Sequence, residues 1–238
     1  LPYNKGITNP EVKDDYRSEY LWNEILVPDS LLDIIENFAL VSEESDKEWD
    51  AKKGKVVTKK FQVQIFPRYH QLDVIRKLRD TVKQEGTGKN YLIQHTTGSG
   101  KSYSIAWLAH TLTSLYKSEA DTTRMFDSIL VITDRKVLDA QLQKTVGKLE
   151  QTSGVVNPVD LNSAQLREFL EKGKDIIITT IQKFPFVSEV ISQLKGSRFA
   201  VVIDEVHSSQ TGETSKHLKL SLSKGDQEEA EDLEEMIR

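Results

Sequence analysis

The chain has 238 residues, 29% of them charged, with 37 acids against 32 bases and no cysteine. That length supports one sizeable core of ordinary domain size plus an appendage, and is short for two full domains. The lack of cysteine excludes disulfides and thiolate-bound zinc and is compatible with a reducing cytosol; the five histidines show no metal-ligand spacing, and no apolar run approaches the roughly 20 residues that span a bilayer.

Residues 1–60 differ in texture from the rest. Tyr16, Tyr20, Leu21, Ile25 and Leu26 sit at helical spacing. Pro28 is expected to stop that helix, and Ser30 to cap a second one from Leu31 to Phe38. Charged residues dominate from Glu43 to Lys60, which reads as a loop or short hairpin around Lys53-Gly54. Pro67 then opens a helix carrying Tyr69, Leu72, Ile75 and Leu78.

From Tyr91 onward, strands and helices alternate. An apolar strand, Tyr91-Leu92-Ile93-Gln94, leads into the glycine run Thr97-Gly98-Ser99-Gly100-Lys101-Ser102 and an amphipathic helix from Tyr103 to Leu115. There follow a strand at Ile129–Ile132, a helix from about Arg135, a strand at Ile176–Thr180 and the near-continuous apolar strand Phe199–Ile203, which ends at Asp204. Such alternation predicts crossover connections and an α/β fold, a parallel sheet with helices on both faces, whose ligands bind outside the carboxyl ends of the strands.

Two runs at those ends carry chemistry. Gly98 and Gly100 allow a tight turn that brings backbone N–H groups to phosphate oxygens, and the following helix N-terminus adds roughly half a positive charge. Lys101 would hold the terminal phosphates and Ser102 would place its hydroxyl on Mg²⁺. His95 stands where the eight-residue phosphate-loop consensus has its first glycine, so the agreement is with the Gly-Lys-Ser core. By composition alone that core arises by chance in roughly a tenth of chains this long. The second run, Asp204-Glu205, makes the joint signal specific: Asp204 can bind the metal through water, while Glu205 can orient and deprotonate an attacking water. Together they read as a nucleoside-triphosphate site.

The formal charge of −5 argues at first against a nucleic-acid partner. However, residues 226–238 carry seven acids and one base, and the remaining chain holds 31 bases and 30 acids, so a local basic stripe remains open. Thr133-Asp134-Arg135 and Thr179-Thr180-Ile181-Gln182 offer hydroxyl, amide and basic groups suited to phosphate oxygens; helix capping accounts for the same residue types. Gln71, in Arg68-Tyr69-His70-Gln71, has the donor and acceptor needed to recognise an adenine edge, and equally suits an ordinary helix start.

Read in order, Arg68-Tyr69-His70-Gln71, His95-Thr96-Thr97-Gly98-Ser99-Gly100-Lys101-Ser102, Thr133-Asp134-Arg135-Lys136-Val137-Leu138-Asp139-Ala140-Gln141, Thr179-Thr180-Ile181-Gln182-Lys183-Phe184 and Asp204-Glu205-Val206-His207 resemble superfamily 2 helicase-like DNA translocases of the DEAD/DEAH type. They look most like the motor of type I restriction enzymes, in the restriction (R) subunit, over about residues 10–215. The resemblance implies a RecA-like first motor lobe that uses ATP and Mg²⁺ to translocate double-stranded DNA, together with modification and specificity subunits, in a prokaryotic cytoplasm. It further implies that Arg68 and Gln71 recognise adenine, that Thr97, Gly98, Ser99, Gly100, Lys101 and Ser102 bind the phosphates, that Ser102 and Asp204 serve the metal and Glu205 the water, and that His207 couples the site to neighbouring motor elements. Thr133, Arg135, Thr179 and Gln182 would lie toward the DNA backbone.

On this reading residues 1–60 form an N-terminal linker and helical segment, 61–225 the ATP-binding motor lobe, and 226–238 an acidic tail or the start of a further segment. Leu1 is not an initiator, and the chain is expected to be a fragment. Glu11-Val12-Lys13 has the letters of a nuclease Glu-x-Lys but no apolar strand to carry it, so the cleavage centre is expected outside this chain. So is the second lobe, whose arginine is worth about 10³ to 10⁵ in rate in related motors. Two alternatives stay open: a repair or remodelling helicase with the same Asp-Glu-x-His motor, and a nucleotide-dependent binding or scaffold module that does not use the chemistry.

Overall fold

The computed structural model describes residues 16, 18–50, 54–118, 120–133, 136–150, 154–159, 163–183, 190–191, 194 and 196–204. Its contacts divide the chain into two units, Leu1–Ile75 and Arg76–Arg238.

In the first unit, a single wide helical turn, Leu21–Ile25, closes with the Leu26 N–H donating to the Leu21 carbonyl at 2.7 Å. Helix α1 follows as Pro28–Asn37. Pro28 therefore opens a helix instead of ending one, and Ser30 lies inside α1 and does not cap it. The physical reason is that proline lacks only an N–H that the first turn leaves unbonded anyway, and its fixed φ suits the first helical position. Ile25, Ile34 and Phe38 are buried, and Tyr20 meets Tyr69 edge to face with ring centroids 6.0 Å apart.

The segment read as a loop or short hairpin is a long one. Strands β1 (Leu40–Asp50) and β2 (Lys55–Ile65) pair antiparallel from Leu40↔Ile65 to Asp50↔Lys55. Its charges obscured the strand pattern, yet across the ladder they are complementary: Lys60 Nζ lies 2.7 Å from Glu43 Oε1, and Lys59 Nζ 4.0 Å from Glu48 Oε2. Helix α2 (Tyr69–Glu85) begins two residues after Pro67.

The second unit holds four parallel strands in the order β4-β5-β3-β6: β3 (Ser128–Thr133), β4 (Val156–Pro158), β5 (Ile176–Thr180) and β6 (Phe199–Ile203). The strands read from their apolar runs are thus present, and β4 is an addition. Pro158 hid it, and it is tolerated because β4 lies at the sheet edge, where a missing N–H breaks no central ladder. Helix α3 (Lys101–Thr113) precedes β3, α4 (Lys136–Lys148) joins β3 to β4, and α5 (Ser163–Glu171) joins β4 to β5. Leu130, Ile132 and Ile177 form a core with Leu166 and Leu170 of α5. By alternation Ile129, Val131, Ile176 and Ile178 point to the opposite face, toward α3 and α4, which touch each other and the strands. Every residue of β3 and β5 is buried, as a sheet covered on both faces requires. This is the RecA-like α/β arrangement.

One expected strand is missing. Tyr91–Gln94 joins no ladder, and Leu92 is 83% exposed. Apolar character makes a strand only where a neighbouring edge accepts its hydrogen bonds, and no described strand pairs with these residues. Tyr91 instead donates its hydroxyl to Glu85 at 2.8 Å; partial burial and that carboxylate push the phenol up to about 12.

Candidate nucleotide site

The glycine run folds as a backbone-built loop. Gly98 (φ 78°) and Gly100 (φ 86°, ψ 35°) both occupy the left-handed region, where glycine has no Cβ to clash. Gly100 caps α3 with its carbonyl, which accepts the N–H groups of Tyr103 at 3.0 Å and Ser104 at 3.3 Å. No side chain caps this helix start. Lys101 and Ser102 occupy its first two positions, at the positive end of the helix, where an anion is favoured.

The polarity of α3 sets where that anion sits. Its far end is tied down by Arg124, whose guanidinium donates to the Thr113 carbonyl at 3.3 Å and to the Asp175 carboxylate. Asp175 immediately precedes β5, so Thr113 lies at the amino edge of the sheet. A helix of 13 residues is about 20 Å long, close to the length of the strands it crosses, and α3 runs along β3, β5 and β6. Lys101 therefore lies at the carboxyl edge. Asp204 reaches the same edge: its N–H donates to the Ile132 carbonyl at 2.9 Å, extending the ladder one residue past β6. Thr133 and Thr180 stand opposite one another in the next register position. Within α3, His110 holds the helix to α4 through Nε2, which donates to the Val146 carbonyl at 2.9 Å. Burial lowers the pKa of this ring and keeps it neutral, against the smaller opposing effects of that carbonyl and Glu150.

The remaining candidates divide by place. Thr133 and Thr179 are each 1% exposed, and their hydroxyls have no hydrogen-bond partner among the described residues. Gln182 follows in a short helical turn and is exposed. Arg68 and Gln71 belong to the first unit, the glycine loop to the second. Gln71 is 4% exposed, and its Oε1 accepts the Arg68 N–H at 2.8 Å, as a residue at the third helical position does in a capping box. Arg135, Glu205 and His207 lie outside the described residues, as do Glu11-Val12-Lys13 and the acidic tail. Arg124 and His110, which hold α3 in place, escaped the sequence reading because their partners are 51 and 36 residues away. Among the described residues no helix is long and apolar enough to cross a membrane.

Comparison with known proteins agrees with this geometry. The chain is similar to a type I restriction enzyme endonuclease subunit from Staphylococcus aureus, 32% identical over 139 residues, which cover 56% of this chain and 14% of that protein. A putative type I restriction enzyme endonuclease subunit from Methanocaldococcus jannaschii is 22% identical over 238 aligned residues, 86% of this chain and 21% of its own length. The ATP-dependent helicase Lhr-Core of the same organism is 30% identical over 165 residues, 61% of this chain and 19% of that protein. The chain thus spans between about a seventh and a fifth of the length of these relatives. The family model of the SWI2/SNF2 ATPases matches residues 70–226, a span that contains the glycine loop, all four parallel strands and the acidic strand end. With the loop, the sheet and the acidic strand end all inside that span, the chain belongs to the SWI2/SNF2 ATPase family.

Proposed function

We propose that this chain is the ATP-binding first lobe of a double-stranded DNA translocase within a type I restriction enzyme endonuclease subunit. The observation that carries the reading is the shared edge: the glycine-built start of α3 and the carboxylate-bearing Asp204 meet the same carboxyl edge of one parallel sheet. Loop amides and Lys101 would take the phosphates. Ser102 and Asp204 are hard oxygen donors of the kind Mg²⁺ prefers. Such an ion would neutralise charge on the transferring phosphoryl group. Glu205 would orient and deprotonate the attacking water, and His207 would link the site to neighbouring motor elements. The loops after β3 and β5, with Arg135 and Gln182, would face the DNA backbone, carried on the strand ends in which Thr133 and Thr179 are buried. Modification and specificity subunits are the proposed protein partners, a reading supported by the names of the Staphylococcus and Methanocaldococcus relatives.

The test is Glu205→Gln in the full-length subunit. DNA-stimulated ATP hydrolysis should fall by about 10² to 10⁴ while nucleotide binding is retained. Undiminished turnover would remove Glu205 as the base, and a wild-type protein that binds ATP without DNA-stimulated turnover would be a binding module. A second reading, a helicase outside restriction, is favoured by the likeness to the Lhr-Core helicase. Cleavage of unmodified DNA only in the presence of modification and specificity subunits separates the two.

A further inference from the structure

The turn that follows β5 is tied down by one side chain. Ile181–Lys183 forms a three-residue helical turn directly after Thr180. Lys183 Nζ folds back to the end of the neighbouring strand and donates to the Val159 carbonyl at 2.6 Å, across 24 residues of sequence. Val159 is a firm anchor. It directly follows β4, is buried in the core with Leu166 and Leu170, and its own N–H donates to the Ile178 carbonyl at 2.9 Å. Ile178 and Lys183 are thus both fastened to Val159, and the residues between them close a ring. Within that ring Thr179 and Thr180 are buried and Gln182 is exposed.

So short a helical turn has poor internal hydrogen-bond geometry, and a charge-assisted bond from a side chain is strong enough to set its position. A lysine in a surface turn ordinarily keeps its ammonium in water. Here the ammonium is directed to a backbone carbonyl at the carboxyl edge of the sheet, the edge that also carries Asp204 and the start of α3. We propose that Lys183 is a positioning residue for the turn after β5: its bond to Val159 holds Gln182 where it meets a DNA phosphate. The inference rests on the reading of this chain as a DNA translocase lobe, and adds to it a residue that acts through Gln182 without itself touching DNA or ATP.

The test measures, by anisotropy, binding of a fluorescein-labelled DNA duplex and of a fluorescent ATP analogue to the full-length subunit. Lys183→Met keeps the aliphatic stem and removes the donor; it should weaken DNA binding by about three- to tenfold and leave ATP affinity unchanged. Lys183→Arg keeps a donor for Val159 and should stay within about twofold of wild type. Lys172→Met removes the same charge from an exposed pair with Glu168, just after α5, and should change DNA affinity by less than about twofold. Gln182→Ala and Lys183→Met should not add: the double variant should bind DNA within about twofold of the weaker single variant. Additive losses would make Lys183 a DNA contact in its own right, and a parallel loss of ATP affinity would make it a general support of the fold; either overturns the proposal. So does unchanged DNA affinity in Lys183→Met, an equal loss in Lys172→Met, or an equal loss in Lys183→Arg. A wild-type subunit that binds no DNA would instead remove the translocase reading itself, whereas DNA binding that ignores Lys183 removes this inference alone.

Discussion

Gly98→Ala asks whether the glycine loop works through its backbone. Gly98 has φ 78°, and a Cβ built on it meets no atom within 4 Å, so the substitution changes conformational preference without a clash. Holding alanine in the left-handed region costs about 1–2 kcal/mol. Thr97 and Gly98 are exposed, which leaves the variant loop room to relax to negative φ; ATP must then restore the native turn when it binds. The expected result is a nucleotide affinity lower by a factor of about 5–30. Gly173→Ala is the matched control: it has φ 61° and equally open space, but sits just after α5 at the amino edge of the sheet, where its N–H donates to the Leu170 carbonyl at 3.1 Å. That variant should melt at lower temperature and bind nucleotide normally. Titration of a fluorescent ATP analogue, with melting curves for both proteins, reads the two effects separately. Wild-type affinity in Gly98→Ala beside a destabilised Gly173→Ala would refute the reasoning, because the turn would then contribute nothing to phosphate binding.

Other consequences concern the supports of α3 and the carboxyl edge. His110 is held neutral with a lowered pKa, whereas an unfolded histidine takes up its proton near 6.5, so the unfolded chain binds more protons below that value. Stability should therefore be present above pH 6.5 and fall as the pH drops through the lowered value; melting curves should show this slope in wild type and its loss in His110→Gln, which keeps a donor for Val146 but cannot titrate. Arg124→Ala should cost about 1 kcal/mol, discounted because both partners of the Asp175 pair are about a third exposed, and lower the melting temperature by about 2–4 °C. Thr179→Val replaces a buried hydroxyl that has no partner among the described residues with a methyl of the same shape, so chemical denaturation should show stability unchanged or raised by up to about 1 kcal/mol. A loss larger than that would mean the hydroxyl bonds to a group outside the described residues.

Much of the second unit was legible from local pattern. The runs at Ile129–Ile132, Ile176–Thr180 and Phe199–Ile203 are apolar without alternation, and only a strand buried on both faces makes that composition stable; all three appear in the parallel sheet. The helix expected over Tyr103–Leu115 is α3, which begins two residues earlier at Lys101 because Gly100 already accepts the first helical N–H groups. The family likeness rests on these same segments, since the matched span of residues 70–226 covers them.

What local pattern could not supply was pairing. The apolar run Tyr91–Gln94, expected as a strand, joins no ladder, and the charged run Glu43–Lys60, expected as a loop or short hairpin, belongs to a long hairpin. Strand formation is a property of two edges, and the second edge is not encoded next to the first. The same holds for Arg124 with Asp175 and His110 with Val146, which orient α3 over separations no periodicity records. The sequence by itself therefore determined which segments could bind a polyphosphate and which must be buried. Only the tertiary structure decided that the glycine loop and Asp204 share one edge, because that depends on which strands lie side by side and on the direction in which α3 crosses them.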